Sequence, residues 1–383
     1  MKNTNVLKKS GIELVSQLST LEVNKIAANI SEKICSSFPE HNINKSDLFA
    51  AISRLNMYYA KFKDNSAAKY CYKTETIYFK ENIDFENIET PAIHECLHFI
   101  QTIKNKNGKL LRLGLYQPSF LGGTGLAINE AAVQLMAADA TNSRFESVKY
   151  YGLDIITNSP DYYPIECSLV KQMTYFTGTY PLYHSVLYSD DIFKNTFIMK
   201  SDKNTYDKIV ENLDLLQEYQ ETLQKENLYL SYIEYDNQNS NKAINTQKAI
   251  DNLKLSIKEL TLKTQELILT SCTRSDLSLV RDTQSVKEFK NKLYNFKELL
   301  IQSENYTFYN EFYCQMMEEL DVKRELIKKY GVLNVFKDIR ESYALIETRQ
   351  EKLNLFQVAI NKLKEVFKIN QKEVDSSFDS DKK

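Results

Sequence analysis

The amino-acid sequence predicts an α+β protein that is predominantly α-helical, with a small β-sheet in its first half and long helices in its second half. Three observations support this prediction. Only 9 Gly and 6 Pro occur in 383 residues, which suits long helices better than a turn-rich β architecture. Apolar residues recur at helical spacing along much of the chain. The segment 66–80 is rich in Tyr, Thr, Ile and Phe, which favour strands.

The first elements are predicted to be two amphipathic helices, over residues 20–37 and 46–63, followed by a strand region over residues 66–80. In the second helix Ser46 is the N-cap residue. The apolar residues at helical spacing in that helix are Leu48, Ile52, Leu55, Tyr59 and Phe62. We expect both helices to pack against the sheet.

Residues 94–98 read His-Glu-Cys-Leu-His, in a chain that has only 4 histidines. On an α-helix the side chains of His94 and His98 lie one turn apart on the same face, so both can bind one metal ion. Glu95 lies about 100° further round the helix, where its carboxylate can contact a water beside that ion. The spacing is the H-E-x-x-H pattern, in which two histidines bind zinc and the glutamate is the general base.

The residues around the motif favour a helix at this position. Thr90 and Pro91 are suited to the N-cap and to the first helical position, and no residue breaks the helix that we predict over 91–105. The predicted strand region 66–80 precedes it. The sequence therefore predicts the order strand, short connection and metal-binding helix.

A catalytic zinc site usually has three protein ligands, and Glu130 is the candidate for the third. It lies on an alanine-rich helix predicted over residues 125–140, after a glycine-rich turn with Thr124 as its N-cap. The small residues Ala127, Ala131 and Ala137 would let this helix approach the first closely. The alternative is a solvated glutamate, favoured in the first turns of a helix by the helix dipole.

The motif and the downstream Asn129-Glu130-Ala-Ala segment resemble the gluzincins, zinc metallopeptidases with H-E-x-x-H on one helix and a glutamate ligand on the next. The resemblance covers roughly residues 65–145. It implies a zincin-like catalytic domain, one zinc ion per chain and hydrolysis of peptide bonds, with Glu95 as the general base. The implied metal ligands are His94, His98 and Glu130.

One position departs from the family pattern, because Gln134 stands where thermolysin-like members have an aspartate that orients the first histidine. Its carbonyl can accept from an imidazole N–H but adds no charge. A further donor to the oxyanion is also expected. Tyr180, Tyr183 and His184 are the candidates, with ordinary aromatic packing as the alternative for each.

The chain is predicted to divide near residue 201, with a metallopeptidase domain over residues 1–200 and a helical region over 201–370. In that region two helices form an αα-hairpin around a polar turn at residues 236–241, and helices resume at 284–302, 306–329 and 333–368. The residues that form a coiled-coil-like seam on the second hairpin helix are Ile250, Leu253, Ile257, Leu260, Thr264 and Leu267. Residues 371–383 are predicted to be disordered.

Composition excludes several classes of partner. A net charge of −2 provides no basic surface for nucleic acid. Polar residues interrupt every apolar stretch at the N-terminus, so we predict neither a signal peptide nor a membrane span, and the expected location is the cytoplasm. Export by a route that needs no signal peptide would not be visible in the sequence. Six scattered cysteines argue against a disulfide scaffold, and Cys96 is interpreted as a buried apolar residue of the motif helix.

The sequence thus favours a zinc-dependent endopeptidase acting on polypeptides, with a possible protein partner bound through residues 201–370. The alternative from another class is a non-catalytic helical interaction protein with a metallopeptidase-like zinc-binding core. A purely structural zinc site is a third possibility, but such sites usually have four Cys or His ligands.

Overall fold

The computed structural model describes residues 11–331 except 65, 84–88, 120–121 and 236–239. This part of the chain is mixed α/β and predominantly helical, as predicted. The helices are α1 Thr20–Ser37, α2 Lys45–Ile52, α3 Glu89–Ile100, α4 Leu126–Ala140, α5 Pro164–Thr177, α6 Thr179–Tyr188, α7 Ile192–Lys200, α8 Lys203–Tyr235, α9 Ser240–Ser278, α10 Thr283–Asn295 and α11 Phe308–Tyr330. The strands are β1 Ile12–Gln17, β2 Asn56–Phe62, β3 Ala68–Cys71, β4 Thr76–Lys80, β5 Thr102–Lys104, β6 Leu110–Leu113, β7 Glu146–Tyr150, β8 Leu153–Thr157 and β9 Gln302–Ser303.

The first four strands form one sheet in the order β1-β2-β4-β3. β2 and β4 are parallel, with Met57 opposite Ile77, and the other two pairs are antiparallel. The side chains of Met57, Ile77 and Phe79 are fully buried. β3, an edge strand among the described residues, lies beside α3, which also contacts β4 and α1.

Two elements of this region differ from the sequence prediction. The helix expected over 46–63 ends at Ile52, and Asn56–Phe62 is the strand β2. This segment carries aromatic residues that favour strands. Its backbone pairs with β1 on one side and β4 on the other, and this pairing outweighs the helical spacing of its apolar residues. The strand region 66–80 is a hairpin of β3 and β4, with Glu75 in the left-handed conformation at the turn (φ 49°).

The two helices that carry the motif residues are both present. α3 ends at Ile100 instead of residue 105, because Thr102–Lys104 leaves the helix and pairs with β6 as strand β5. α4 begins and ends within a residue of the prediction. It is the central helix of the region, since 12 of its residues are buried and it contacts α1, α3, α5, α6 and α8.

The second half contains the two long helices expected of the hairpin, α8 and α9, joined by residues outside the described range. Asn212 of α8 donates to the hydroxyl of Thr264 on α9 at 3.0 Å. A coiled-coil packing of the two helices stays a prediction. The helix expected over 284–302 ends as α10 at Asn295, and α11 occupies the next predicted helix. The predicted helix 333–368 and the tail 371–383 lie outside the described residues.

Contacts between residues divide the chain into two compact units. The first comprises residues 1–275 and 295–308, and the second comprises residues 276–294 and those from 309 onward. The boundary expected near residue 201 falls inside the first unit, because α8 contacts α4 and α7. Among the helices that the structure describes, none has the length and apolar character needed to cross a membrane.

Candidate metal centre

Packing of α3 against α4 places the motif residues opposite Glu130. His94 and His98 lie one turn apart on α3, as the i, i+4 spacing requires. Glu130 lies on the second turn of α4, where Ala127, Ala131 and Ala137 are fully buried. Small side chains on α4 permit a close approach of its neighbours, as the sequence led us to expect.

The three predicted ligands converge in the structure. The Nε2 atoms of His94 and His98 lie 3.0 Å apart. Oε2 of Glu130 is 3.4 Å from His94 Nε2 and 3.3 Å from His98 Nε2. Both histidines are buried, and the glutamate side chain is 14 % exposed. In the described part of the chain this is the one group of three His, Cys, Asp or Glu side chains close enough to hold a metal ion.

The size of this triangle fits a small divalent ion. Ligand atoms at 2.0–2.1 Å from a tetrahedral zinc ion are roughly 3.3 Å from one another, and the three observed separations are 3.0, 3.3 and 3.4 Å. Two imidazole nitrogens and one carboxylate oxygen form a donor set that zinc accepts. The residues present therefore fit a metal ion, and the distances by themselves do not identify which metal.

The two carboxylates of the site have opposite electrostatic environments. Burial alone would raise the pKa of Glu130, but His98 and His94 more than offset this effect and hold the pKa well below its usual range. Burial raises the pKa of Glu95 to about 7, with His94 opposing the shift and the charge of Glu130 adding to it. The backbone N–H of Tyr70 on β3 also opposes the effect of burial and lowers the pKa of Glu95. Glu130 is thus a stable anion, whereas Glu95 can exchange a proton near neutral pH.

The far side of each imidazole ring contacts a glutamine. Oε1 of Gln134 lies 2.9 Å from Nδ1 of His94, so it accepts the proton that this nitrogen carries. This is the contact expected of Gln134. The side-chain amide of Gln101 lies 2.6 Å from Nδ1 of His98. Gln101 did not figure in the sequence prediction, although it follows His98 by three residues at the end of the same helix.

The three candidates for an oxyanion donor make their contacts elsewhere. The Tyr183 hydroxyl donates to Asp139, nine residues beyond Glu130 and about 13 Å further along α4. Nδ1 of His184 lies 2.8 Å from an Asp190 carboxylate oxygen. The ring of Tyr180 stacks on His41 with centroids 4.6 Å apart. Tyr180 thus packs against an aromatic ring, whereas Tyr183 and His184 make polar contacts with aspartates, and an oxyanion role for the three residues stays a prediction.

Tyr163 is the tyrosine that lies beside the triad. The charge of Glu130, burial and the charge of Glu95 raise the pKa of its hydroxyl well above the usual value, so it stays protonated. Tyr163 is held in the left-handed conformation (φ 52°) immediately before Pro164, the first residue of α5. The Tyr-Pro pair is visible in the sequence as a helix start, but nothing local indicates that its ring reaches α4.

Cys96, inside the motif, is fully buried, and burial raises the pKa of its thiol. This agrees with its interpretation as an apolar residue of the buried side of α3. Among the described residues, no two cysteines are joined by a disulfide.

Comparisons of the chain with protein-family models, with curated proteins and with solved structures gave no match. The resemblance to gluzincins therefore stays a prediction from the sequence motif, and the function has to be argued from the chemistry of these residues.

Proposed function

We propose that the chain is a zinc-dependent endopeptidase. The observation that carries the proposal is the convergence of His94, His98 and Glu130 within bonding reach of one ion, with Glu95 buried beside them. Zinc is the metal that this donor set and the H-E-x-x-H spacing favour.

When bound by these three residues, zinc would supply a Lewis acid that polarises the scissile carbonyl and acidifies a water. Glu95 is placed to take the proton of the attacking water and to pass it to the leaving amine. A pKa near 7 suits both halves of this transfer, because the group then accepts and donates a proton with similar ease. The protonated hydroxyl of Tyr163 is the donor available to a developing oxyanion.

The edge strand β3 supports a polypeptide as the substrate. Lys80 N–H donates to Ala67 O, so Ala67 and Lys80 form a hydrogen-bonded pair of the antiparallel strands β3 and β4. Such pairs alternate along the strand, and the backbone N–H and C=O groups of Ala68 and Tyr70 therefore point away from β4. The Tyr70 N–H accordingly lies on the side of β3 that faces Glu95, whose pKa it lowers. An extended peptide that pairs with the backbone of Ala68, on what is an edge strand among the described residues, would run close to Glu95.

The proposal is tested by metal analysis together with peptide cleavage. The purified chain should contain one zinc per molecule and cleave members of a broad peptide library, and a chelator should stop the cleavage. His98→Ala should lose both properties. Glu95→Gln should keep the metal and lose about 10²–10⁴-fold in rate. A Glu95→Gln variant that cleaves at the wild-type rate would refute the assignment of the base.

The second candidate is an interaction protein with a metal-binding core that does not turn over. It is favoured by three exposed apolar side chains near the C-terminal end of α8, which are Leu228, Tyr229 and Tyr232. Retention of Glu95 in the motif argues against it. Zinc binding without any peptide cleavage would favour this candidate over the enzyme.

A further inference from the structure

The contact between Gln101 and His98 bears on which nitrogen of that imidazole carries the proton. Gln101 directly follows α3, is 1 % exposed, and its backbone N–H donates to Leu97 O at 3.0 Å. Its side-chain amide therefore has a fixed position 2.6 Å from His98 Nδ1. An amide offers either a carbonyl oxygen or an N–H₂ group to such a neighbour, and the two are exchanged by a half-turn about the last side-chain bond.

With Nε2 of Gln101 toward His98, Gln101 Oε1 is buried without a partner. That oxygen and Oδ1 of Asn129 lie 2.1 and 2.3 Å from the point that a Cβ on Gly114 would occupy, so two acceptors come close together there. Asn129 Oδ1 already accepts the N–H of Leu115 at 3.0 Å, which orients the Asn129 amide. Two facing acceptors in a buried site are unfavourable.

Turning the Gln101 amide by 180° removes both defects. Oε1 can then accept the Nδ1–H of His98, and Nε2 lies toward Asn129 Oδ1, which has a second lone pair for it. Each group from the Leu115 N–H through Asn129 and Gln101 to His98 then offers a donor to an acceptor. Gly114 (φ 56°) makes the arrangement possible, because any Cβ there would overlap the side-chain amides of both Gln101 and Asn129.

We infer that Gln101 is a positioning residue of the metal centre: its carbonyl accepts the Nδ1–H of His98 and leaves the Nε2 lone pair directed at the triad, while Asn129 holds Gln101 in that orientation. The inference rests on the metal-binding part of the proposed function.

A consequence concerns the charge of the centre. Gln134 makes the same kind of contact with His94, because its Oε1 lies 2.9 Å from His94 Nδ1 and accepts a proton there. Both imidazoles are then oriented by neutral carbonyl groups, and Glu130 is the one anion among the three ligands and these two orienting residues. A carboxylate in either position would make the imidazole more basic.

The tautomer is measurable in the metal-free chain by NMR with ¹⁵N-labelled histidine. His98 should carry a proton on Nδ1 in the wild type, whether or not Nε2 also carries one, because the Nε2 atoms of His94 and His98 lie 3.0 Å apart beside Glu130 when no ion is bound. The four histidine signals can be assigned with single histidine substitutions that leave the other three signals unchanged. If wild-type His98 carries a proton on Nε2 and none on Nδ1, the inference is wrong. The tautomer is read from the wild-type chain and does not depend on hydrolysis.

Zinc affinity, measured by competition with a chromogenic chelator, supplies the second test. Gln101→Leu removes the acceptor and should weaken zinc binding about 10–100-fold. Gln101→Glu keeps an acceptor at the same place and should retain the wild-type tautomer and at least the wild-type affinity. A folded Gln101→Leu chain, verified by circular dichroism, that binds zinc as tightly as the wild type would overturn the inference. A wild-type chain that binds no zinc would instead refute the proposed function, and the tautomer result would still stand.

Discussion

Glu95 and Glu130 show how neighbouring carboxylates acquire different roles from their surroundings. Glu130 faces two imidazole nitrogens at 3.3 and 3.4 Å, which keep it ionised in spite of burial. Glu95 is buried, and burial raises its pKa to about 7. Carboxylates whose pKa values are pushed apart in this way are suited to separate roles as metal ligand and as general base.

Replacement of Tyr163 by Phe removes the hydroxyl beside the triad and leaves the ring in place. If the hydroxyl stabilises the oxyanion, kcat should fall about 10²-fold, with KM and zinc content nearly unchanged. Steady-state kinetics on a peptide taken from the library would measure this. Tyr162→Phe, at the exposed neighbouring position, is the matched control. Wild-type kcat in Tyr163→Phe would exclude the hydroxyl from catalysis.

Glu166, on α5, should make the stability of the fold depend on pH. It is fully buried, Gln220 donates to it, and burial raises its pKa from 4.5 to about 7. Between pH 4.5 and 7 the unfolded chain releases this proton while the folded chain keeps it, so the free energy of unfolding falls as pH rises. The loss approaches about 3 kcal/mol at pH 7 and is then constant.

Glu166→Gln is expected to remove this dependence. Urea unfolding at pH 5 and pH 8 should show the variant gaining stability relative to the wild type at the higher pH. Comparison of the two chains at each pH cancels the titration of all other groups. An equal difference at both pH values would contradict the pKa assigned to Glu166.

The position of Glu130 depends on how the helix α4 is held at its N-terminus. Gly125, its N-cap residue, has φ 82° and no side chain that can cap the helix. Asp214 of α8 replaces such a cap, because its two carboxylate oxygens accept the N–H groups of Gly125 at 2.7 Å and Ala127 at 2.9 Å. An anion at this end of a helix also interacts favourably with the helix dipole.

Asp214→Ala should therefore lower the free energy of unfolding by about 1–2 kcal/mol, and Asp214→Asn should lower it less because one acceptor remains. Chemical denaturation would give both values. Glu218→Ala, one turn further along α8 and exposed, controls for the loss of a negative charge. A stability of Asp214→Ala equal to that of the control would show that the cap does not stabilise α4.

In the whole molecule, residues beyond 200 complete the compact unit that contains the metal centre. Ile209, Leu213 and Leu216 of α8 are fully buried. Gln265 of α9 accepts from Gln172 of α5 and from the backbone N–H of Ile301, each at 2.7 Å. The first part of the predicted helical region is thus part of the same unit as α3 and α4. A protein partner bound through the region 201–370 stays a prediction.

A fragment that ends at residue 200 would lack α8 and with it the Asp214 cap. It would also expose the α4 surface that α8 covers. We expect this fragment to aggregate or to unfold without cooperativity, which size-exclusion chromatography and thermal circular dichroism would detect next to the full chain. A monomeric, cooperatively folded fragment that binds zinc would contradict this expectation and would favour association as the role of the later helices.

The sequence by itself determined the features that depend on local spacing. The i, i+4 histidines and the alanine-rich helix around Glu130 are local patterns, so the two motif helices and the three residues of the triad were predictable. The predicted cap at Thr90 was wrong, because the helix already begins at Glu89. The strand β2 was not, because Asn56–Phe62 has helical spacing and becomes a strand only when β1 and β4 pair with it. The spacing of apolar residues along the sequence does not show which distant strands will pair.

Only the tertiary structure decided which side chains support the triad. Tyr163 and Asp214 come from segments distant in sequence and meet α4 through the packing of helices. Gln101 directly follows α3, and only the folded structure shows that its side-chain amide lies against His98. The same packing takes Tyr183 to Asp139 and away from the centre. The sequence spacing within one helix predicts only contacts between residues a few positions apart. Which helices pack together depends on the burial of their apolar faces, and spacing within one helix does not show this. The three triad residues and Gln134 could therefore be identified in the sequence, whereas Gln101, Tyr163 and Asp214 could not.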